Sequence, residues 1–162
     1  MAKRIVTKIG DIFIVKLENN QRYFQYVAND MTMLNSSVIR VFEKQYPLNS
    51  SPSLTEVANG KIDFYAHVVL RWGVELGLWE KIGKENVAGK IDVLFRSSLD
   101  YGEKLGISER WQVWHINDPN FSFVGKLKGK HRDAEKGEVI APIDIYNRIK
   151  TGKYSYLYPD FE

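Results

Sequence analysis

The clearest periodicity in the chain runs from Ile62 to Trp72. Ile62, Phe64, Ala66, Val68, Leu70 and Trp72 share one side of it, while Asp63, Tyr65, His67, Val69 and Arg71 share the other. Strict alternation is the signature of a pleated strand with one face against a core. The pattern therefore predicts a long strand with Phe64, Ala66, Val68 and Leu70 inside and Tyr65, His67 and Arg71 outside. On that reading, truncating Phe64 to Ala costs roughly 3–5 kcal/mol. Truncating His67 costs within about 1 kcal/mol, unless the outer face is covered. The candidate cover is a helix opened by Pro142, whose ring suits a first helical turn. Its Ile143, Ile145, Tyr146 and Ile149 form an apolar stripe, and Thr151-Gly152 stops it.

Shorter period-two runs flank this strand. Asp11–Leu17 places Ile12, Ile14 and Leu17, then Glu18-Asn19-Asn20 supplies turn chemistry before Tyr23, Phe24, Tyr26 and Val27. Two β-rich runs joined by asparagines predict a hairpin. Ser37–Tyr46, Ile91–Arg96, Arg110–Ile116 and Phe121–Leu127 are further strands rich in β-branched and aromatic residues. Ser53-Leu54-Thr55-Glu56 matches a capping box, so a helix of about two turns is expected before Asn59-Gly60. Glycines break the pattern between Gly73 and Gly89, and the tail Tyr154–Pro159 alternates like a closing strand or an extended arm. The sum is an α+β fold, mainly antiparallel. A strongly curved β-sheet or partial barrel with two or so short helices, spanning residues 1–162 as a single domain, would bury it best.

Composition narrows the classes. The 162 residues are 44% hydrophobic and 27% charged, values of a globular protein rather than a disordered one. The longest apolar stretch, Ala66–Trp72, carries His67 and Arg71 and falls far short of the ~20 residues that cross a bilayer. Lys3, Arg4 and Lys8 are followed by Gly10-Asp11 and not by the apolar core of a signal peptide, so a cytoplasmic protein without membrane contact is expected. The absence of cysteine excludes a disulfide framework, a thiol nucleophile and cysteine-ligated zinc.

Catalytic signatures are missing too. His67, His115 and His131 stand at no chelating spacing, and Ser36-Ser37 and Ser97-Ser98 lack the glycine frame of a nucleophile elbow. No glycine-rich phosphate loop is present, since Gly125-Lys126-Leu127-Lys128-Gly129 fits neither standard pattern. No catalytic, cofactor-binding or metal-ligating residue is assigned.

Net charge is +3, too small for a strongly basic face, but Lys126, Lys128, Lys130, His131 and Arg132 concentrate positive charge before Asp133 and Glu135. That run reads first as a solvated turn. Aromatic residues make up 13% of the chain, and Trp111 and Trp114, three apart on one strand, face opposite sides. One is expected in the core and the other, Trp114, exposed as a recognition anchor. The candidate partner-binding residues are thus Tyr65, His67, Arg71, Trp114, Lys126, Lys128, Lys130 and Arg132.

Lys8-Ile9-Gly10-Asp11-Ile12-Phe13-Ile14-Val15-Lys16-Leu17, with the following Asn19-Asn20 turn and aromatic run Tyr23-Phe24-Gln25-Tyr26-Val27, resembles the opening of the bacterial immunity protein 26 family. The resemblance covers the first thirty residues or so. It implies a small cytoplasmic protein of a polymorphic-toxin system that binds and neutralises a toxin domain, and it implies no catalytic residues. The expected function is accordingly non-enzymatic binding of a protein partner, with no cofactor. The alternative is a nucleic-acid-associated β domain that stacks bases on exposed aromatics beside Lys126–Arg132. An enzyme of unfamiliar type ranks third.

Overall fold

The first hairpin forms where the alternation places it. Asp11–Lys16 (β1) and Gln21–Asp30 (β2) pair antiparallel, with Phe13 opposite Phe24 and the two rings stacked at 5.1 Å. The computed structural model describes residues 4–100, 104–156 and 159–162. Ser36–Phe42 (β3), Ile62–Val68 (β4) and Glu80–Lys84 (β5) extend the hairpin, and Val139–Ile140 (β10) joins β4 in parallel. The resulting six-stranded sheet has the order β10-β4-β3-β2-β1-β5. A second sheet, ordered β8-β7-β6-β9, is built from Leu94–Ser98 (β6), Trp111–His115 (β7), Ser122–Gly125 (β8) and Glu135–Lys136 (β9). Three α-helices, Leu54–Ala58 (α1), Leu70–Glu75 (α2) and Pro142–Thr151 (α3), and two short 3-10 helices, Met31–Met33 and Gly129–Asp133, complete the described residues.

The protein is α+β, with two open mixed sheets where one curved sheet was expected. The cause lies in β2, β3 and β4, which are apolar on both faces. One face carries Phe24, Tyr26, Ile39, Val41, Phe64 and Ala66, and Trp79, Ile145, Ile149 and Tyr154 cover it. The opposite face is covered at one end by α1 through Tyr23, Phe42, Val57 and Ala58. At the other end Val27 and Val38 meet Val93, Phe95 and Trp114 of the second sheet. Curling one sheet would bury only its concave side, and these strands need cover on both.

This arrangement corrects the reading of Ile62–Trp72. The strand ends at Val68, where pairing with β3 and β10 ends, and Leu70 begins a helix that leaves Trp72 half exposed. His67 is completely buried, and Tyr65 half-buried, because the second sheet lies on their side. The α3 helix covers the Phe64 side instead. The tail also departs from expectation. Tyr154 and Tyr156 pack against the large core without forming a strand, and residues 157–158 lie outside the described residues.

Both tryptophans of β7 are buried, each on a covered face: Trp114 towards the large sheet, Trp111 against Leu127, Val124 and Phe161. The α1 cap forms as half of its motif. The Ser53 hydroxyl accepts the Glu56 N–H at 3.1 Å, but the Glu56 carboxylate accepts from the Tyr46 hydroxyl rather than returning to the cap. Ser53→Ala should therefore lower stability by about 1 kcal/mol, seen as a lower urea midpoint at unchanged slope.

Candidate functional site

Two polar centres sit where the sheets meet. The first is Asp30, the last residue of β2 and fully buried. One carboxylate oxygen accepts from the Thr32 N–H (3.1 Å), the Thr32 hydroxyl (2.5 Å) and the Asn117 N–H (3.1 Å). The other lies 2.9 Å from His67 Nε2 and 3.4 Å from Trp114 Nε1. Burial pushes the Asp30 carboxyl up, but the hydrogen bonds from Thr32, His67 and Asn117 outweigh it and hold the group below its ordinary value. Burial also lowers His67, against the opposing pull of Asp30, so the ring is neutral and Nε2–H donates to the carboxylate. Nδ1 has no partner among the described residues, and the ring lies 4.2 Å from that of Phe95. Neither side chain of the pair has exposed surface, so the dyad joins the sheets and meets no substrate.

The second centre borders an open cleft of about 660 Å³, lined by Tyr65, Asp92, Trp114, His115, Lys130 and Glu135 among others. His115 Nδ1 stands 2.8 Å from Asp92 Oδ1 in a pair more than half exposed on both sides, where water competes for each atom. Glu135, on β9, is mostly buried, and its nearest cation is Arg148 Nη1 at 3.7 Å. Burial pushes the Glu135 carboxyl up to about 7, although Arg148 and the Tyr65 N–H pull it back. Between the ordinary value of 4.5 and about 7 the folded protein holds a proton that the unfolded chain releases, so this group costs stability as pH rises through that window. Glu135→Gln should accordingly gain about 2 kcal/mol over the wild type near pH 8 and little near pH 5, measured by urea unfolding at both.

The candidate recognition residues are dispersed. Tyr65 and Lys130 reach the cleft together, whereas Arg71, on α2, lines a separate surface depression with Leu34 and Ile5. His67 and Trp114 are buried between the two sheets, His67 under the second sheet and Trp114, itself on that sheet, against the large one, although Trp114 also forms part of the cleft wall. That burial also removes two of the three aromatics on which the nucleic-acid alternative depends. Lys126, Lys128, Lys130 and Arg132 are all exposed, around the short 3-10 helix Gly129–Asp133. Lys126 stands 3.6 Å from Glu109, and Arg132 pairs with Glu162, while Lys128 and Lys130 have no carboxylate within 4 Å among the described residues.

Sequence reasoning missed Phe121 and Phe123, which are exposed by 39% and 63% at the free edge of the second sheet. Their signal was an Asn-Asp-Pro-Asn turn followed by the alternating Phe-Ser-Phe, whereas the edge position of the strand came only from the fold. Glu135 and Arg148 carried no local signal, since only the fold brings β9 to α3. Among the described residues no group of three His, Asp or Glu side chains converges as a metal site would require. No helix of the described residues is long and apolar enough to cross a membrane. No family model, no curated protein and no solved structure matches the chain.

Proposed function

We propose that the protein is a non-enzymatic binding domain that acts by direct contact with another protein, in the manner of the immunity proteins its first hairpin resembles. The observation that carries this reading is the free edge of β8. Phe123 is exposed on that strand, which has no neighbour on its outer side among the described residues, and Phe121 stands just before it, stacked on Trp114. Lys128 and Lys130 follow close behind in the chain, without carboxylate partners among the described residues. An exposed strand edge is a template for pairing with another chain, and natural proteins usually blunt it with charge or cover. Large aromatic side chains supply contact area, and unpaired lysines favour a partner whose facing surface is acidic. A cytoplasmic toxin-neutralising role follows from the resemblance of residues 8–27.

The test is co-expression with the product of a toxin gene encoded next to this one. The wild type should co-elute with it as a stable complex, and Phe123→Asp combined with Lys128→Glu and Lys130→Glu should abolish co-elution while the circular dichroism spectrum stays unchanged. Wild-type protein that never co-elutes would overturn the reading. An oligonucleotide titration at about 50 and 200 mM salt provides the other arm, because binding that collapses with salt would assign the same lysines to phosphates instead.

A further inference from the structure

The outer side of β6 and β9 carries an unusual concentration of buried positive charge. Arg96 (β6) and Lys136 (β9) are neighbours in the parallel register, and both point to the side of Trp111 and Phe161. Arg148 approaches from α3, and the exposed Lys153 and Arg132 stand at the rim of a cavity of about 310 Å³ that all five line. The apolar faces of these side chains are occupied. Arg96 lies over Phe161 at 4.5 Å and Trp111 at 5.3 Å, Arg148 over Phe64 at 3.9 Å and Tyr154 at 4.7 Å, and Lys136 over Tyr156 at 5.3 Å.

Their hydrogen-bonding edges are largely unused. Arg96 has an 11% exposed side chain, yet its Nε and Nη1 make no hydrogen bond among the described residues, and Asp160 comes no closer than 3.9 Å. Lys136 is 7% exposed and has no carboxylate within 4 Å among them. Glu135, at 3.7 Å from Arg148, is the nearest acidic group in the cavity wall. Asp133 lines the rim, and Glu138, whose buried Oε2 is also unpartnered among the described residues, acts on Lys136 and Arg96 through its field. Burial lowers both Arg96 and Lys136 from their ordinary values, outweighing the opposing pull of Asp160 and Glu138.

Leaving cations buried with few hydrogen-bond partners is unfavourable, and a small polar molecule bridging them would offset that cost. The stacked Arg96 guanidinium, whose Nε and Nη1 are free among the described residues, offers the fork that matches phosphate oxygens, the buried Lys136 ammonium supplies a point charge beside it, and Arg148 is shared with Glu135 at 3.7 Å. We propose that this cavity binds a phosphate group, either the free ion or a phosphate monoester small enough for its volume, with Arg96, Lys136 and Arg148 as its direct partners. The site is independent of the β8 edge and of the partner-binding reading.

The probes are inorganic phosphate and a nucleoside monophosphate, each titrated calorimetrically near pH 7.5 into the full chain against sodium chloride of matched ionic strength. Both the wild-type heat of binding and a thermal midpoint raised by a few degrees should appear with phosphate and not with chloride. Tighter binding of the monophosphate assigns the remaining volume to an organic body. Weaker binding of it, with phosphate retained, assigns the site to the free ion. Lys136→Met, which exchanges a buried charge for an apolar chain of similar length, should fold and lose at least about tenfold in affinity. Lys153→Gln at the exposed rim is the second variant, with an expected loss of several-fold that does not depend on core folding. The proposal falls if wild-type protein responds to neither probe, or if both variants keep wild-type affinity.

Discussion

Replacing Asp30 by Ala should remove about 4 kcal/mol of stability, a large share of the ~5–15 kcal/mol that holds a domain of this size. Its carboxylate collects hydrogen-bond donors from four residues in three places: Thr32 beside it, His67 on β4, and Trp114 with Asn117 at the end of β7. Truncation leaves the His67 and Trp114 N–H groups buried without an acceptor, each at about 1–3 kcal/mol. Asp30→Asn separates charge from shape. The carboxamide keeps an oxygen for Thr32 and Asn117 and presents an NH₂ to His67. The ring can move its proton to Nδ1 and accept at Nε2, which exchanges an unpartnered acceptor for an unpartnered donor among the described residues and keeps the contact with the amide. Asn should therefore cost about half as much as Ala. His67→Ala should approach the loss expected of Phe64→Ala, since both side chains are fully buried on opposite faces of one strand. Urea titration of the four variants near pH 7.5 decides the matter. Asp30→Ala within about 1 kcal/mol of wild type would mean that the two sheets are held by apolar contact alone. Acid should act in the same direction. The lowered His67 leaves the folded ring neutral where the unfolded one binds a proton, so its contribution is lost as pH falls below 6.5, and that of Asp30 is lost further down, below 3.8.

The elements that could be read from the chain are those whose cause is local. The Asn-rich turn between β1 and β2, the Ser53 cap, and the Pro142 start with the Gly152 stop each combine a backbone requirement with the residue that meets it. Gly152 has φ +88°, a conformation that L side chains rarely adopt. What was not readable is pairing between distant segments. His67 looks like a solvent-facing residue because it is polar, and it becomes a core residue only when Asp30 and Phe95 are brought to it from 37 positions upstream and from the second sheet. Trp111 and Trp114 do lie on opposite faces, as their spacing implies, but both faces are covered. The same limit hid the cationic cavity. Arg96, Lys136 and Arg148 are unremarkable in their own segments, and their burial is a product of packing β6, β9, α3 and the tail together. Of the proposed recognition residues, the lysines are exposed as expected because a charged run in a turn needs no partner to stay in water.

Gly73→Ala should destabilise the protein by about 3 kcal/mol, although helix propensity alone would make the change favourable. Gly73 lies inside α2 without a positive φ, so Ala would gain about 1 kcal/mol from backbone entropy and propensity. Sterics oppose this by more. A Cβ at that position would stand 1.9 Å from two carbons of the Trp79 indole and 2.6 Å from a third. The ring has little freedom to retreat: it is 3% exposed, packs edge-on to Phe24 at 5.1 Å, and donates its Nε1–H to the Leu70 carbonyl at 3.0 Å. Overpacking of a filled core costs about 1–3 kcal/mol when neighbours can adjust, and expelling a tryptophan costs about 3–5. The displaced ring would also give up its hydrogen bond, which anchors the first turn of the same helix. Two other glycines calibrate the result. A methyl on Gly106 would meet no atom of the described residues within 4 Å, and its φ is not positive, so Gly106→Ala should be near neutral. Gly77 has equal room but φ +73°, so Gly77→Ala should lose about 1–2 kcal/mol to backbone strain alone. If Gly73→Ala unfolds no earlier in urea than Gly77→Ala, the contact with Trp79 is soft, and the glycine is there for the backbone rather than for the ring.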